Sequence, residues 1–160
     1  MLPIRGGLAA GALLAVAGAG LAGCAPAQPT AACAPIDEAG VHRLFDEWDA
    51  ALQTGDPHVV VARYAEGSIL LPTLSGTPRL TPESKIDYFE HFLENEPSGA
   101  IDDDVVSIGC DFAIDTGNYT FTFGTTSERV PARFTFVYEW DPRAGEWLIA
   151  SHHSSATPEG

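Results

Sequence analysis

The chain has 160 residues, 8 basic against 22 acidic side chains and a net charge of −14 with histidine neutral. That length suits one domain with a real core and is too short for two large ones. The acidity argues against nucleic acid or an anionic membrane surface as partner, because both attract lysine and arginine and repel carboxylates.

The first element is a leader. Arg5 precedes an apolar Leu/Ala/Val/Gly run from Gly7 to Ala22, and Leu21-Ala22-Gly23-Cys24 closes it in the manner of a bacterial lipoprotein signal. A short transmembrane anchor or a plain cleaved signal are the alternatives, but the run falls short of the roughly 20 strongly apolar residues a spanning helix needs. The expected layout is a signal peptide over residues 1–23, a lipid on Cys24, a Pro/Ala-rich tether over 24–35 and a domain over 36–158. The expected location is the cell envelope, with the domain facing the periplasm or the exterior. Removing the leader leaves 137 residues and, with Arg5 gone, a net charge of −15. With Cys24 lipidated, Cys33 and Cys110 remain, and an oxidising envelope favours a disulfide between them over two free thiols.

Three helices follow. Val41, Leu44, Phe45, Trp48, Ala51 and Leu52 recur at helical spacing between Asp37 as start signal and Gly55 as stop. Asp56-Pro57 opens a short second helix through Val60, Val61 and Tyr64, and Ile69 to Leu71 make a short strand closed by Pro72. Thr81-Pro82 opens a third helix with Ile86, Phe89, Phe92 and Leu93 on its apolar face. From Ile101 the period becomes two: Val106 and Ile108, a turn at Gly109 to Asp111, a strand through Tyr119, Phe121 and Phe123, and another with Phe134, Phe136, Tyr138 and Trp140 on one face. Glu146 to Ser155 forms the last strand. Gly117 marks a bulge or bend. Helices first and strands after give an α+β fold, three helices against a bent sheet of four or more antiparallel strands with a ligand-sized mouth.

Leu52-Gln53-Thr54-Gly55-Asp56-Pro57, Tyr64, Gly117-Asn118-Tyr119, Arg133-Phe134-Thr135-Phe136 and the tail Gly145-Glu146-Trp147-Leu148-Ile149-Ala150-Ser151-His152-His153-Ser154-Ser155 carry a resemblance. In this order they resemble the bacterial branch of the calcium/calmodulin-dependent protein kinase II association-domain family, within the SnoaL-like, nuclear-transport-factor-2-like superfamily. The resemblance implies a cone-shaped barrel with a central pocket, dimeric or larger through the outer face of its sheet. It does not imply one activity, since relatives include enzymes and assembly hubs. The chain carries no kinase motif.

In an extended strand Trp147, Ile149, Ser151 and His153 share one side, and Leu148, Ala150, His152 and Ser154 the other, so His152 and His153 cannot both enter the pocket. The resemblance matches His153 to a histidine near the cavity, making it the expected pocket base or donor; an inert histidine bonded to a neighbour is the alternative. Trp48, Tyr64, Phe89, Tyr119 and Tyr138 are further pocket candidates, or simply core. Arg79 is a candidate for the pocket rim. Arg133, opposite the aromatic face of its strand, fits an interface and invites an ion pair with Asp115, Glu139 or an anionic ligand. A metal site would need His91 and a carboxylate beside the histidine pair, and no metal or cofactor is expected. Two functions remain open. One is a non-catalytic pocket and self-association module, a homodimer through Thr120, Thr122, Arg133, Thr135 and Val137. The other is a ketosteroid-isomerase-like enzyme moving a proton with Asp87, Asp115 or His153 as base and Tyr64 or Tyr119 as donor.

Overall fold

The computed structural model describes residues 33–73 and 75–158. The leader, Cys24 and nearly all of the tether lie outside the described residues. Helix α1 runs over Glu38–Gln53, started by the Asp37 carboxylate accepting from the Gly40 amide at 2.8 Å. Val41, Phe45, Trp48 and Leu52 form its buried stripe, and the chain leaves through Gly55 at φ 67°, a conformation glycine adopts without steric cost. Asp56 caps α2 (Pro57–Val61) and Thr81 caps α3 (Pro82–Leu93), where Thr81 and Ser84 exchange side-chain-to-backbone bonds.

Five strands follow the order β1-β5-β4-β3-β2: β1 (Tyr64–Leu71), β2 (Pro97–Ile108), β3 (Phe112–Phe123), β4 (Arg129–Asp141) and β5 (Glu146–Ala156). All pairings are antiparallel except β1 with β5. Tyr64 therefore belongs to the first strand rather than to the second helix. The sheet curves over the helices and buries Trp48, Tyr119, Phe136 and Tyr138 almost completely. Phe45 packs on Trp48, Tyr119, Phe134 and Phe136 with ring centroids 5.8–6.4 Å apart, the tilted and edge arrangements aromatic quadrupoles favour.

Register shifts give the sheet its curvature. Ile101 pairs with Tyr119 but Asp103 with Asn118, so Asp102 is an extra residue on β2. Gly117 sits across from this bulge: a Cβ there would lie 2.0 Å from the Asp103 carbonyl oxygen. The bulge that Gly117 signals thus lies on the partner strand. A second shift lies on β5, where Val137 pairs with Ser151 and Tyr138 with Ile149, leaving Ala150 over. One inserted residue exchanges the faces of everything after it. Trp147 and Ile149 point inward as their alternation predicts, but beyond Ala150 the inward residues are His152 and Ser154, and His153 faces out.

Helix α1 also guards the β2 edge. Asp49 accepts from the Gly99 amide at 2.6 Å and Gln53 donates to the Pro97 carbonyl at 2.7 Å, occupying backbone groups that would otherwise invite another strand. Cys33 and Cys110 form a disulfide, and the Ala34 amide donates to the Cys110 carbonyl at 3.0 Å. The segment entering α1 is thereby fastened to the β2–β3 turn.

Candidate functional site: an aromatic cavity floored by His152

Between α3 and the curled sheet lies a cavity of about 400 Å³. Tyr88, Phe89 and Phe92 supply the helix side, Phe121 and Phe123 line it from β3, and Trp48, Tyr119, Ala132, His152 and Ser154 complete the interior. Pro72 and Thr73 border it from the loop after β1, and His91 and Glu128, both exposed, stand among its lining residues from α3 and the β3–β4 turn. The lining aromatics come from three elements whose periodicities each turn one apolar face inward.

A directed chain of hydrogen bonds fixes His152. The Trp48 indole N–H can only donate, and it donates to the Tyr64 hydroxyl oxygen at 3.2 Å. The Tyr64 proton is then free for His152 Nδ1, 2.9 Å away. With Nδ1 accepting, the ring carries its proton on Nε2. Phe136 stacks on the imidazole at 4.0 Å and Trp48 meets it edge-on at 5.2 Å. Burial, with a smaller contribution from the charge of His153, pushes the His152 pKa from 6.5 down to about 3, so the ring is neutral across physiological pH. Its Nε2 is buried and makes no hydrogen bond among the described residues. A second chain runs from the Tyr119 hydroxyl, which donates to Ser154 Oγ at 2.5 Å, to Thr73, whose hydroxyl also meets Ser154.

The pattern that defines the calcium/calmodulin dependent protein kinase II association domain matches residues 37–158. The chain belongs to that family. A solved protein of the same description from Xanthomonas campestris is 42% identical, with a TM-score of 0.74, over 84% of this chain and 99% of its own. A chain of little more than this association domain therefore folds by itself. A nuclear-transport-factor-2-like protein of unknown function from Pseudomonas putida superposes at TM-score 0.65 with 17% identity, over 76% of this chain and 87% of its own. A dehydratase candidate of that fold from Streptomyces avermitilis gives 0.62 with 16% identity, over 74% and 95%. Among curated proteins, none matches the chain.

Against this geometry the residues singled out in the sequence separate. Trp48, Phe89 and Tyr119 line the association domain's cavity. Tyr64 stands behind it as the link to His152. Tyr138 is buried, but its hydroxyl makes no hydrogen bond among the described residues and it does not line the cavity. His153 does not enter: the Ala150 bulge turns it to the outer face, where it shares a shallow groove with Arg133, Thr135 and Asn118. Arg79 donates to Asp87 at 2.9 Å and lies 5.9 Å over the ring of Tyr88, beside the cavity wall. Asp87 is exposed in that pair.

Asp115 corrects the expected ion pair with Arg133. It lies on the inner face, fully buried, and neither carboxylate oxygen has a hydrogen-bond partner among the described residues. The neighbouring strand contributes Asp104, which is bonded to His42 Nε2 of α1 at 2.8 Å. Burial first, then the charge of Asp104, pushes the Asp115 pKa from 3.8 to about 7, against a smaller pull from His42. Asp115 does not line the cavity. Among the described residues, no group of three or more His, Cys, Asp or Glu is placed to hold a metal ion.

His152, Ser154 and Tyr88 also line the cavity without standing out as pocket residues in the sequence. For the first two the missing signal is the bulge, since Ala150 is an ordinary strand residue with nothing in its chemistry to mark an insertion. Tyr88 was legible, one residue from Phe89 and four from Phe92 on the same helix.

Proposed function

We propose that this association domain is a non-catalytic module that binds a small, largely apolar molecule in its central cavity and self-associates through the outer face of its sheet, tethered at the cell envelope by a lipid on Cys24. The cavity itself carries the reading. Its volume falls within the range of small-molecule sites and its walls are mainly apolar, with Phe, Tyr and Trp the commonest lining residues.

Catalysis by proton transfer calls for a group in the cavity that changes protonation near neutral pH. His152 is held neutral, Asp115 lies elsewhere, and His91, its pKa raised by the hydrogen bond to the Asp87 carbonyl, stands with Glu128 at the exposed end of the lining, in contact with solvent rather than in the apolar interior. His152 is therefore not a base at neutral pH. Self-association is favoured by the outer face, where Val105 is 69% and Phe112 43% exposed in a single chain beside the half-buried Ile114 and Val137. The envelope address rests on the leader, a signal run ending in Leu21-Ala22-Gly23-Cys24.

The test uses residues 33–160, which keep the disulfide, and a neutral fluorophore, N-phenyl-1-naphthylamine. Saturable binding at micromolar concentration is expected, and Ala132→Phe, which plugs the cavity wall, removes it. Equal binding by that variant, with its circular dichroism unchanged, would place the probe outside the cavity and refute the reading. Sedimentation of the same fragment should give a dimer or larger; a monomer at micromolar concentration would remove self-association.

A further inference from the structure

The outer face of the sheet separates its charges by strand. On β2 it carries both residues of the bulge, Asp102 accepting from the Thr120 hydroxyl at 2.7 Å and Asp103 from the Asn118 amide at 2.9 Å. On β4, two strands away, it carries Arg133, which is exposed. The register aligns Asp103, Asn118 and Arg133 in one row across β2, β3 and β4. Asn118 stands between the opposite charges, and none of the ion pairs among the described residues includes Arg133. In a chain with 22 acidic side chains against 8 basic ones, this arginine is left to meet a carboxylate from outside.

We propose that two copies of this chain pack their outer faces together about a two-fold axis running along β3, so that Arg133 of each meets Asp103 of the other. This rests on the self-association read above and gives it an orientation. A two-fold contact joins the same patch of both chains, so each pairing occurs twice. Turning the sheet over about β3 exchanges the places of β2 and β4 and keeps every row level. The partner's Asp103 then lies over Arg133 and the partner's Asn118 over Asn118. Val105, in one row with Thr116 and Thr135 and 69% exposed in a single chain, is covered by the partner's Thr135. Packed sheets stand about 10 Å apart, a gap that an arginine and an aspartate side chain together bridge. An axis running along the row instead would set Arg133 over Arg133 and Asp103 over Asp103, and opposed like charges are what a specific interface avoids.

The experiment is sedimentation velocity of the 33–160 fragment carrying Arg133→Glu or Asp103→Lys, each alone and the two mixed. Either variant alone opposes like charges twice, so its dimer should weaken at least about tenfold. In the mixture, one contact joins the two reversed charges and the other joins native Arg133 to native Asp103. A heterodimer should therefore form within about threefold of the wild-type strength. Circular dichroism checks that each variant is folded. Should either reversal unfold the chain, Arg133→Gln and Asp103→Asn replace the pair in a double-mutant cycle: a double variant no weaker than Arg133→Gln alone supports the pairing, and additive losses overturn it. Folded variants that stay monomeric on mixing, or either variant dimerising as strongly as the wild type, overturn the pairing and leave outer-face association standing. A wild-type fragment that is monomeric at micromolar concentration overturns both.

Discussion

Asp115 lends itself to the sharpest test, because it is a fully buried carboxyl group facing Asp104 from β2, His42 from α1 and the Tyr138 phenol from β4, with no hydrogen-bond partner of standard geometry among the described residues. Its pKa rises from 3.8 to about 7 on folding. Between those values the folded chain keeps a proton that the unfolded chain releases. The associated stability is complete below about pH 4 and is lost as pH rises through about 7. At about 1.4 kcal/mol per pH unit, the loss is about 4 kcal/mol. His152 opposes this in the acid range: its pKa falls from 6.5 to about 3, so its contribution is present above pH 6.5 and is lost as pH falls toward 3. The wild-type profile mixes the two effects, whereas the difference between wild type and Asp115→Asn isolates one. The variant keeps the shape of the side chain and cannot ionise. Urea midpoints taken from pH 4.5 to 8.5 should show the pair within about 1 kcal/mol at the acid end and Asp115→Asn more stable by about 2–4 kcal/mol at the alkaline end. A difference that does not change with pH, or an alkaline wild type more stable than the variant, would refute the claim that the folded chain burdens itself with this charge.

The disulfide spans 77 residues of sequence, so replacing both Cys33 and Cys110 by serine should cost about 4 kcal/mol on the chain-entropy model; reductant should lower the wild-type urea midpoint and leave the double variant unmoved. Gly117→Ala should destabilise by about 3 kcal/mol, since its new methyl would meet the backbone of Asp103 at 2.0 Å. Gly76→Ala serves as the comparison in thermal unfolding, because a methyl there touches nothing within 4 Å, and its midpoint should stay close to the wild type. Val105→Asp should shift sedimentation toward monomer with stability of the chain changed by less than about 0.5 kcal/mol, as expected for an exposed residue; an unaltered sedimentation profile would place the contact elsewhere.

The helices were legible because capping chemistry is local. Asp37, Asp56 and Thr81 each carry the oxygen that satisfies a first-turn amide, and each starts a helix where that oxygen predicts one. The sheet was legible in period but not in phase. Phe134, Phe136 and Tyr138 alternate without interruption and all lie inward, whereas β5 keeps phase as far as Ile149 and loses it at Ala150. Phase depends on which residue the neighbouring strand skips, and that is decided by how the whole sheet closes over α1 and α3. The site suffered directly, because its central histidine lies beyond the skipped residue. Arg133 and Asp115 show the same limit from another side: two charged residues on adjacent strands suggest a pair, yet opposite parity puts one in water and one in the core.

The Ala150 bulge has a chemical consequence beyond curvature. Without it, His153 would face inward and His152 would stand outside. With it, the inward imidazole is the one whose Nδ1 meets Tyr64, and Tyr64 stands there because β1 runs parallel to β5 with Tyr64 paired to Ile149. A register shift within β1 itself, between Tyr64 and Ile69, then brings Leu70 opposite His152 as a second wall residue of the cavity. Irregularities on two neighbouring strands thus place one neutral imidazole against one aromatic wall. Removing the Ala150 insertion should cost ligand binding before it costs the fold, since Trp147 and Ile149 precede it and keep their places in the core.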